Sequence, residues 1–181
     1  MAPVIVQQLT LPDLTPGFLA KFNRHQAVAR RWMLEGGTWQ LKATPFLDDW
    51  DPVEKEEKTA LLRQTLVNNG AVWGAYQGER LIGFASLEPE FFGSQQQYLL
   101  LHFLHVDATE RGNGYGRLLF NLACAEARQR GARKLYISTS TAEDTQAFYL
   151  KAGCVDAAEI DPALAAAEPF DRQMEFDLLL I

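Results

Sequence analysis

Residues 110–120 read ERGNGYGRLLF, with Gly112, Gly114 and Gly116 at alternate positions and Arg111 and Arg117 among them. An apolar strand-like run, LLHFLHVD (100–107), precedes this stretch, and an apolar helix-like run follows it. Glycine lets a backbone turn its N–H groups inward where a Cβ would block the way. A helix that starts just after such a turn opens with unpaired N–H groups and the positive end of its dipole. The junction is therefore an anion site, and phosphate is the anion it suits.

Spacing separates the phosphate loops that compete for this pattern. A nucleoside-triphosphate loop ends in Gly-Lys-Ser/Thr, because lysine reaches the phosphates and the hydroxyl holds magnesium. Here Gly116 is followed by Arg117 and Leu118, so both groups are missing. A dinucleotide loop needs G-x-G-x-x-G and an acidic residue near the end of the next strand. This chain has G-x-G-x-G, and its next strand candidate, KLYIST (134–139), ends without a carboxylate.

What remains is R-x-x-G-x-G, filled by Arg111, Gly114 and Gly116, and at this point the sequence resembles the GNAT superfamily of N-acetyltransferases. A second stretch, TQAFYLKAGC (145–154), resembles that family's last-helix pattern and lies downstream in the right order. Where many members carry Asn six residues before the Phe of Phe-Tyr, this chain has Ala142; Thr145 and Cys154 are further departures. The resemblance implies acetyl-CoA as co-substrate and no metal. Its pyrophosphate would lie on Arg111, Gly112, Asn113, Gly114, Tyr115, Gly116 and Arg117. Its pantetheine arm would pair with the backbone of Leu104, His105 and Val106, the last polarising the thioester carbonyl.

The same resemblance implies that Tyr149 stands near the thioester sulfur and protonates the departing thiolate. For the general base, His102 occupies a position where some arylalkylamine-using members carry histidine, and it has a neutral form near physiological pH. Simple strand alternation puts His102 on one face with Leu104 and Val106, and His105 on the other. Glu88, at the end of the preceding strand, is the second candidate, and water alone is the third. Asp48, Asp49 and Trp50, in FLDDWD (46–51), are able to hold a cation by charge and ring face, or else form surface loop beside a helix cap.

Along the chain, 1–181 reads as one domain. Val4–Leu9 is a first strand, and Thr15-Pro16 starts a helix that runs to about Leu34 and breaks at Gly36-Gly37. Asp51 and Glu54 form a capping box for a second helix, closed by Asn69-Gly70, with Leu62 and Leu66 as its buried stripe. Strands 71–76 and 81–87 form a hairpin, and 98–106 is a longer strand. A helix from Gly116 to about Arg130, strand 134–139 and a helix from Glu143 to Ala152 capped by Thr141 follow. Strands near 154–160 and 173–180 close the chain. Helical crossovers demand parallel pairing in the second half, so the fold class is α/β: an α+β mixed, twisted sheet of about seven strands flanked by about four helices in three layers.

Hydrophobic residues make up 48% and charged residues 22%, as in a globular protein. A net charge of -6 argues against general affinity for nucleic acid and favours a cationic acceptor. No segment has the length of a membrane span, and the N-terminus lacks a basic start before an apolar core. The cysteines Cys124 and Cys154 support neither a disulfide nor a zinc framework, which fits a cytoplasmic setting. The apolar C-terminal run Leu178–Ile181 offers a homodimer contact. The expected activity is acetyl transfer to an amine-bearing acceptor; the alternative is a module of the same fold that binds CoA without transfer.

Overall fold

The computed structural model describes residues 3–180. Its main sheet has seven strands in the order β1-β4-β5-β6-β7-β9-β8, comprising Val4–Gln8, Ala71–Gln77, Arg80–Leu87, Tyr98–Val106, Lys134–Thr139, Arg172–Asp177 and Val155–Asp156. All neighbours are antiparallel except β6 and β7, which are joined by the crossover helix α2 (Tyr115–Gln129). On one face α2 and α3 (Glu143–Ala152) cover a core that includes Leu99, Leu101, Leu119, Phe120, Ile137 and Tyr149. On the other, α1 (Pro52–Val67) covers Leu62, Val72, Phe84 and Phe103, joined by Leu9, Leu14, Leu19 and Phe22 from the N-terminal segment. Burying two separate apolar faces makes this a three-layer molecule. A short α4 (Pro162–Ala167), which the sequence pattern did not announce, completes the helices.

The expected helix over 15–34 is not there. Gly17 takes φ 81 directly after Pro16, and the segment closes into turns bonded at three-residue spacing, Phe18 to Thr15, Ala20 to Gly17 and Phe22 to Leu19. The apolar spacing of Leu19 and Phe22 did mark buried positions, but a left-handed glycine cannot propagate a helix. Beyond it the chain forms β2 (Gln26–Glu35) and β3 (Thr38–Asp48), a separate two-stranded ribbon. Gly36 and Gly37, with φ 56 and 80, are the two-residue turn of this hairpin, and Glu35 pairs with Thr38 across it. Two consecutive positive φ values match the twist of a tight hairpin, which explains the glycine pair better than a helix stop does. Pro45 lies where the β2–β3 register slips, a place for a residue with no N–H to donate.

Smaller corrections concern ends and caps. The Asp51–Glu54 capping box forms as expected, with Asp51 Oδ1 accepting from the Glu54 N–H at 2.9 Å and Glu54 Oε2 from the Asp51 N–H at 2.8 Å. Thr141 does not cap α3; Ala142 is the capping residue and supplies no side-chain bond. The strand expected over 154–160 contracts to two residues, and the last strand stops at Asp177 before a turn of 3-10 helix. Leu178 is fully buried in its own core, so only Leu179 and Leu180 of the proposed dimer contact are exposed, and Ile181 lies outside the described residues.

One irregularity in β6 positions much of the site. Ser86 pairs with Phe103, yet its neighbour Leu87 pairs with Leu101, so His102 has no partner and forms a β-bulge. Before it, Leu99 and Leu101 point to the α2 face; after it, Leu104 does, while Phe103 and His105 pack with Phe84 on the α1 face. His102 lies flat on Phe103, ring centroids 4.3 Å apart. The simple alternation that grouped His102 with Leu104 and Val106 is therefore wrong: the extra residue turns His102 toward the α1 side.

Candidate active site

Gly112 and Gly114 both hold left-handed φ, 85 and 87. Gly114 is the capping residue of α2 and offers no side chain, and the first turn of α2 holds no acidic residue. The first intrahelical bond runs from the Leu118 N–H to the Gly114 carbonyl, which leaves the N–H groups of Tyr115, Gly116 and Arg117 without helical acceptors. A Cβ on Gly112 or Gly114 would meet nothing within 4 Å, so the space in front of these amides is open. Gly116 differs: a Cβ there would lie 3.3 Å from the Phe148 ring, so this glycine serves packing of α2 on α3. An open nest of N–H groups at a positive helix end fits a pyrophosphate.

The arginines on either side of the first glycines part company. Arg111 spends its guanidinium on backbone carbonyls, those of Arg24 and His25 at 2.9 Å each and of Val106 at 3.2 Å. It latches the root of β2 to the loop and to the end of β6. Arg117 is exposed and makes no hydrogen bond or ion pair among the described residues.

β6 and β7 pair only through Tyr98–Lys134, Leu99–Leu135 and Leu100–Tyr136, and then separate. The Asp107 N–H donates to the Ile82 carbonyl on the β5 side, so alternation along the strand turns the Val106 N–H to the edge that faces the gap. A narrow extended group entering the gap would find backbone donors and acceptors free on β6. The buried Asp107 carboxylate holds the strand end in place, accepting from the N–H groups of Asn23 and Thr109. Burial opposes its charge, but those bonds and Arg80 outweigh it and its pKa falls. This anchor has no local signature in the sequence, because Asn23 and Arg80 are remote along the chain.

The two candidate bases come together. His102 Nδ1 lies 3.1 Å from Glu88 Oε1, on the α1 face and just past the last β6–β7 pair. Tyr149 belongs to the opposite face, where its ring packs edge-on against Phe120 and its hydroxyl lies near the side chain of Thr139, the last residue of β7. Burial pushes the Tyr149 pKa well above that of a free tyrosine, so it holds its proton at every physiological pH. His105 is not in the gap: its ring packs on Trp50 at 4.8 Å, and burial with the nearby charges of Arg24 and Arg111 keeps it neutral.

The acidic-aromatic run is already committed. Asp48 pairs with the buried Arg24 at 2.5 Å, Asp49 accepts from the Trp50 N–H and His25, and Asp51 caps α1. Trp50 does hold cations on its ring, but they are the protein's own, Arg24 at 5.5 Å and Lys58 at 5.9 Å. The hairpin root also reaches α3, where Gln26 donates to Asp144 at 2.9 Å and Thr145 at 3.3 Å, and Arg30 pairs with Glu143. Near the end of β7, Asp171 has a single long bond, 3.5 Å from Ser138, and no ion pair among the described residues. Burial, reinforced by Glu168, pushes its carboxyl up to about 6.

No curated protein matches this chain by sequence. Solved structures match its fold over nearly full length at low identity. Nourseothricin acetyltransferase covers 97% of this chain and 98% of its own at 17% identity, with a TM-score of 0.69. The IAA acetyltransferase from Bacillus cereus ATCC 14579 covers 97% and 99% at 16% identity and a TM-score of 0.59. The PaiA N-acetyltransferase from Thermoplasma acidophilum, solved with coenzyme A, covers 97% and 99% at 14% identity and a TM-score of 0.58. The family model for the acetyltransferase (GNAT) family matches residues 36–154, a span that holds the glycine nest, the parted strands and Tyr149 alike. The chain thus belongs to the GNAT family and is an N-acetyltransferase with acetyl-CoA as its co-substrate.

Proposed function

We propose that the chain moves the acetyl group to a primary amine of a small molecule or peptide by direct attack. The observation that carries this reading is the parting of β6 and β7, with a proton acceptor on one face of the opening and a proton donor on the other. In this reading the nest from Arg111 to Arg117 binds the pyrophosphate through its N–H groups, with Arg111 holding the loop's shape and Arg117 adding charge. Leu104 and Val106 pair with pantetheine through their backbone, whereas His105, expected to do so as well, turns its backbone groups to β5. The Val106 N–H donates to the thioester carbonyl as negative charge develops on its oxygen.

His102, oriented by Glu88, takes the proton that an ammonium must lose before its lone pair can attack. Tyr149 gives its proton to the departing sulfur; the C–S bond breaks as the C–N bond forms. A cationic acceptor is supported by Asp171, a half-buried carboxyl beside Ser138 that has no ion pair among the described residues. Replacing Tyr149 by Phe should lower kcat by about tenfold or more while calorimetric affinity for acetyl-CoA stays unchanged. Full turnover in that variant, followed by free-thiol release with a panel of amines, would remove Tyr149 from the acid role. Thiol release with no amine in the panel would instead leave a CoA-binding module.

A further inference from the structure

Beneath the His102–Glu88 pair lies Thr65 of α1, 1% exposed, whose Oγ1 is 2.5 Å from Glu88 Oε1 and 3.1 Å from the Leu61 carbonyl oxygen. A threonine hydroxyl has one proton and here faces two acceptors. It can donate to only one of them at a time. Thr65 itself is held firmly: its carbonyl accepts from the Gly70 N–H at 2.7 Å, and its methyl lies where a Cβ on Gly70 would stand, 2.5 Å away. Gly70 has no Cβ, so the α1–β4 turn closes on Thr65 and fixes its side chain under Glu88.

We propose that Thr65 is a positioning residue for the base pair, donating to Glu88 while that carboxylate is ionised and turning to the Leu61 carbonyl when Glu88 shares the proton that His102 has taken. The second acceptor is what makes this more than a static bond. When charge leaves Glu88 the hydroxyl is not stranded in the core, where an unmade bond is costly. The inference rests on the reading of His102 as base. The proton that leaves the substrate ammonium goes to Nε2 of His102, and the proton already on Nδ1 is then shared with Glu88; the proton that Tyr149 gives to sulfur is a separate one.

Among the described residues, the charged side chains that act on His105, the next ring along this face of β6, are Arg24 at the root of β2, Arg111 of the loop and Lys58 of α1. Substitution of Thr65 leaves them in place. Losing a donor to the ionised form raises the proton affinity of the pair, so the acid limb of the kcat/KM profile should move to higher pH. Thr65→Val, close in shape, should move that limb up by about one pH unit and lower kcat/KM for the amine about tenfold, with the KM for acetyl-CoA unchanged. Thr65→Ser keeps the hydroxyl and should restore both. If Thr65→Val folds poorly, Thr65→Ala against Thr65→Ser makes the same comparison. A limb that stays in place in the hydroxyl-free variant, whatever the rate, overturns the inference. A His102→Gln variant in the same assay separates the levels. If it leaves the wild-type limb intact, the base assignment falls and takes Thr65 with it; if it abolishes a limb that Thr65→Val does not move, only Thr65 falls.

Discussion

Asp171 carries its charge at a cost that depends on pH. Burial first, then Glu168, lifts its pKa from 3.8 to about 6. Below the lower value the carboxyl is protonated folded and unfolded alike, so nothing is lost. Between the two, the native state holds a proton that the unfolded chain has released, and each step up in pH removes stability. Above about 6 the full penalty applies. Asp171→Asn should therefore stabilise the protein at pH 7.5 by about 1–2 kcal/mol, allowing for partial exposure, and give no gain below pH ~4. Chemical denaturation at both pH values measures this. If Asp171 meets the acceptor's ammonium, the same variant also raises the amine KM. Nothing near position 171 in the sequence signals this role, because Ser138 and Asp48 reach it from other elements. The glycines are the opposite case: the φ values of Gly112 and Gly114 are what their spacing demanded.

At the scale of elements, legibility followed how local the forces are. β6, β7 and the Asp51 cap matched the sequence reading to the residue, because each is bounded by its own glycines, turns or caps. The β2–β3 ribbon was misread because its apolar residues serve two ends: Leu19 and Phe22 before it enter the core beneath α1, while Trp32 and Trp39 stand on a separate sheet. The ribbon is fastened by the Arg30–Glu143 pair, the Arg31–Ala142 bridge and the Arg111 latch. Its turn is the weak point. Gly37→Ala, at φ 80, should cost about 1 kcal/mol and lower Tm by about 2–4 °C. Because the ribbon walls the α3 side of the opening, the amine KM should rise in that variant more than the acetyl-CoA KM, a split that steady-state kinetics with each substrate varied in turn will read.

For the whole molecule, the sheet stands between the proposed base and the proposed acid, with His102 and Glu88 on the α1 face and Tyr149 on the α2–α3 face. The candidates can be named from the sequence, but their proposed meeting point depends on strands that pair for three residues and then part. The thiols take no part in that meeting. Burial pushes both Cys124 and Cys154 up to about 12, and both are inaccessible in the native fold. Iodoacetamide followed by intact mass should find no adduct on the native protein and two after denaturation. A free-thiol assay of turnover then reads released CoA alone.

The unpaired residue in β6 changes what kinds of mutation the strand tolerates. Counting outward from Leu99, odd positions face α2 as far as Leu101, and even positions do so from Leu104 onward. The strand switches parity at His102. Substituting His102 removes one imidazole; deleting it would bring Phe103 next to Leu101 in plain alternation, so Phe103, Leu104 and His105 would keep their faces while the bulge healed. Position 102 is therefore a surplus residue: its loss would cost the imidazole and the bend, whereas a deletion before Leu101 or after Phe103 would turn side chains through the sheet.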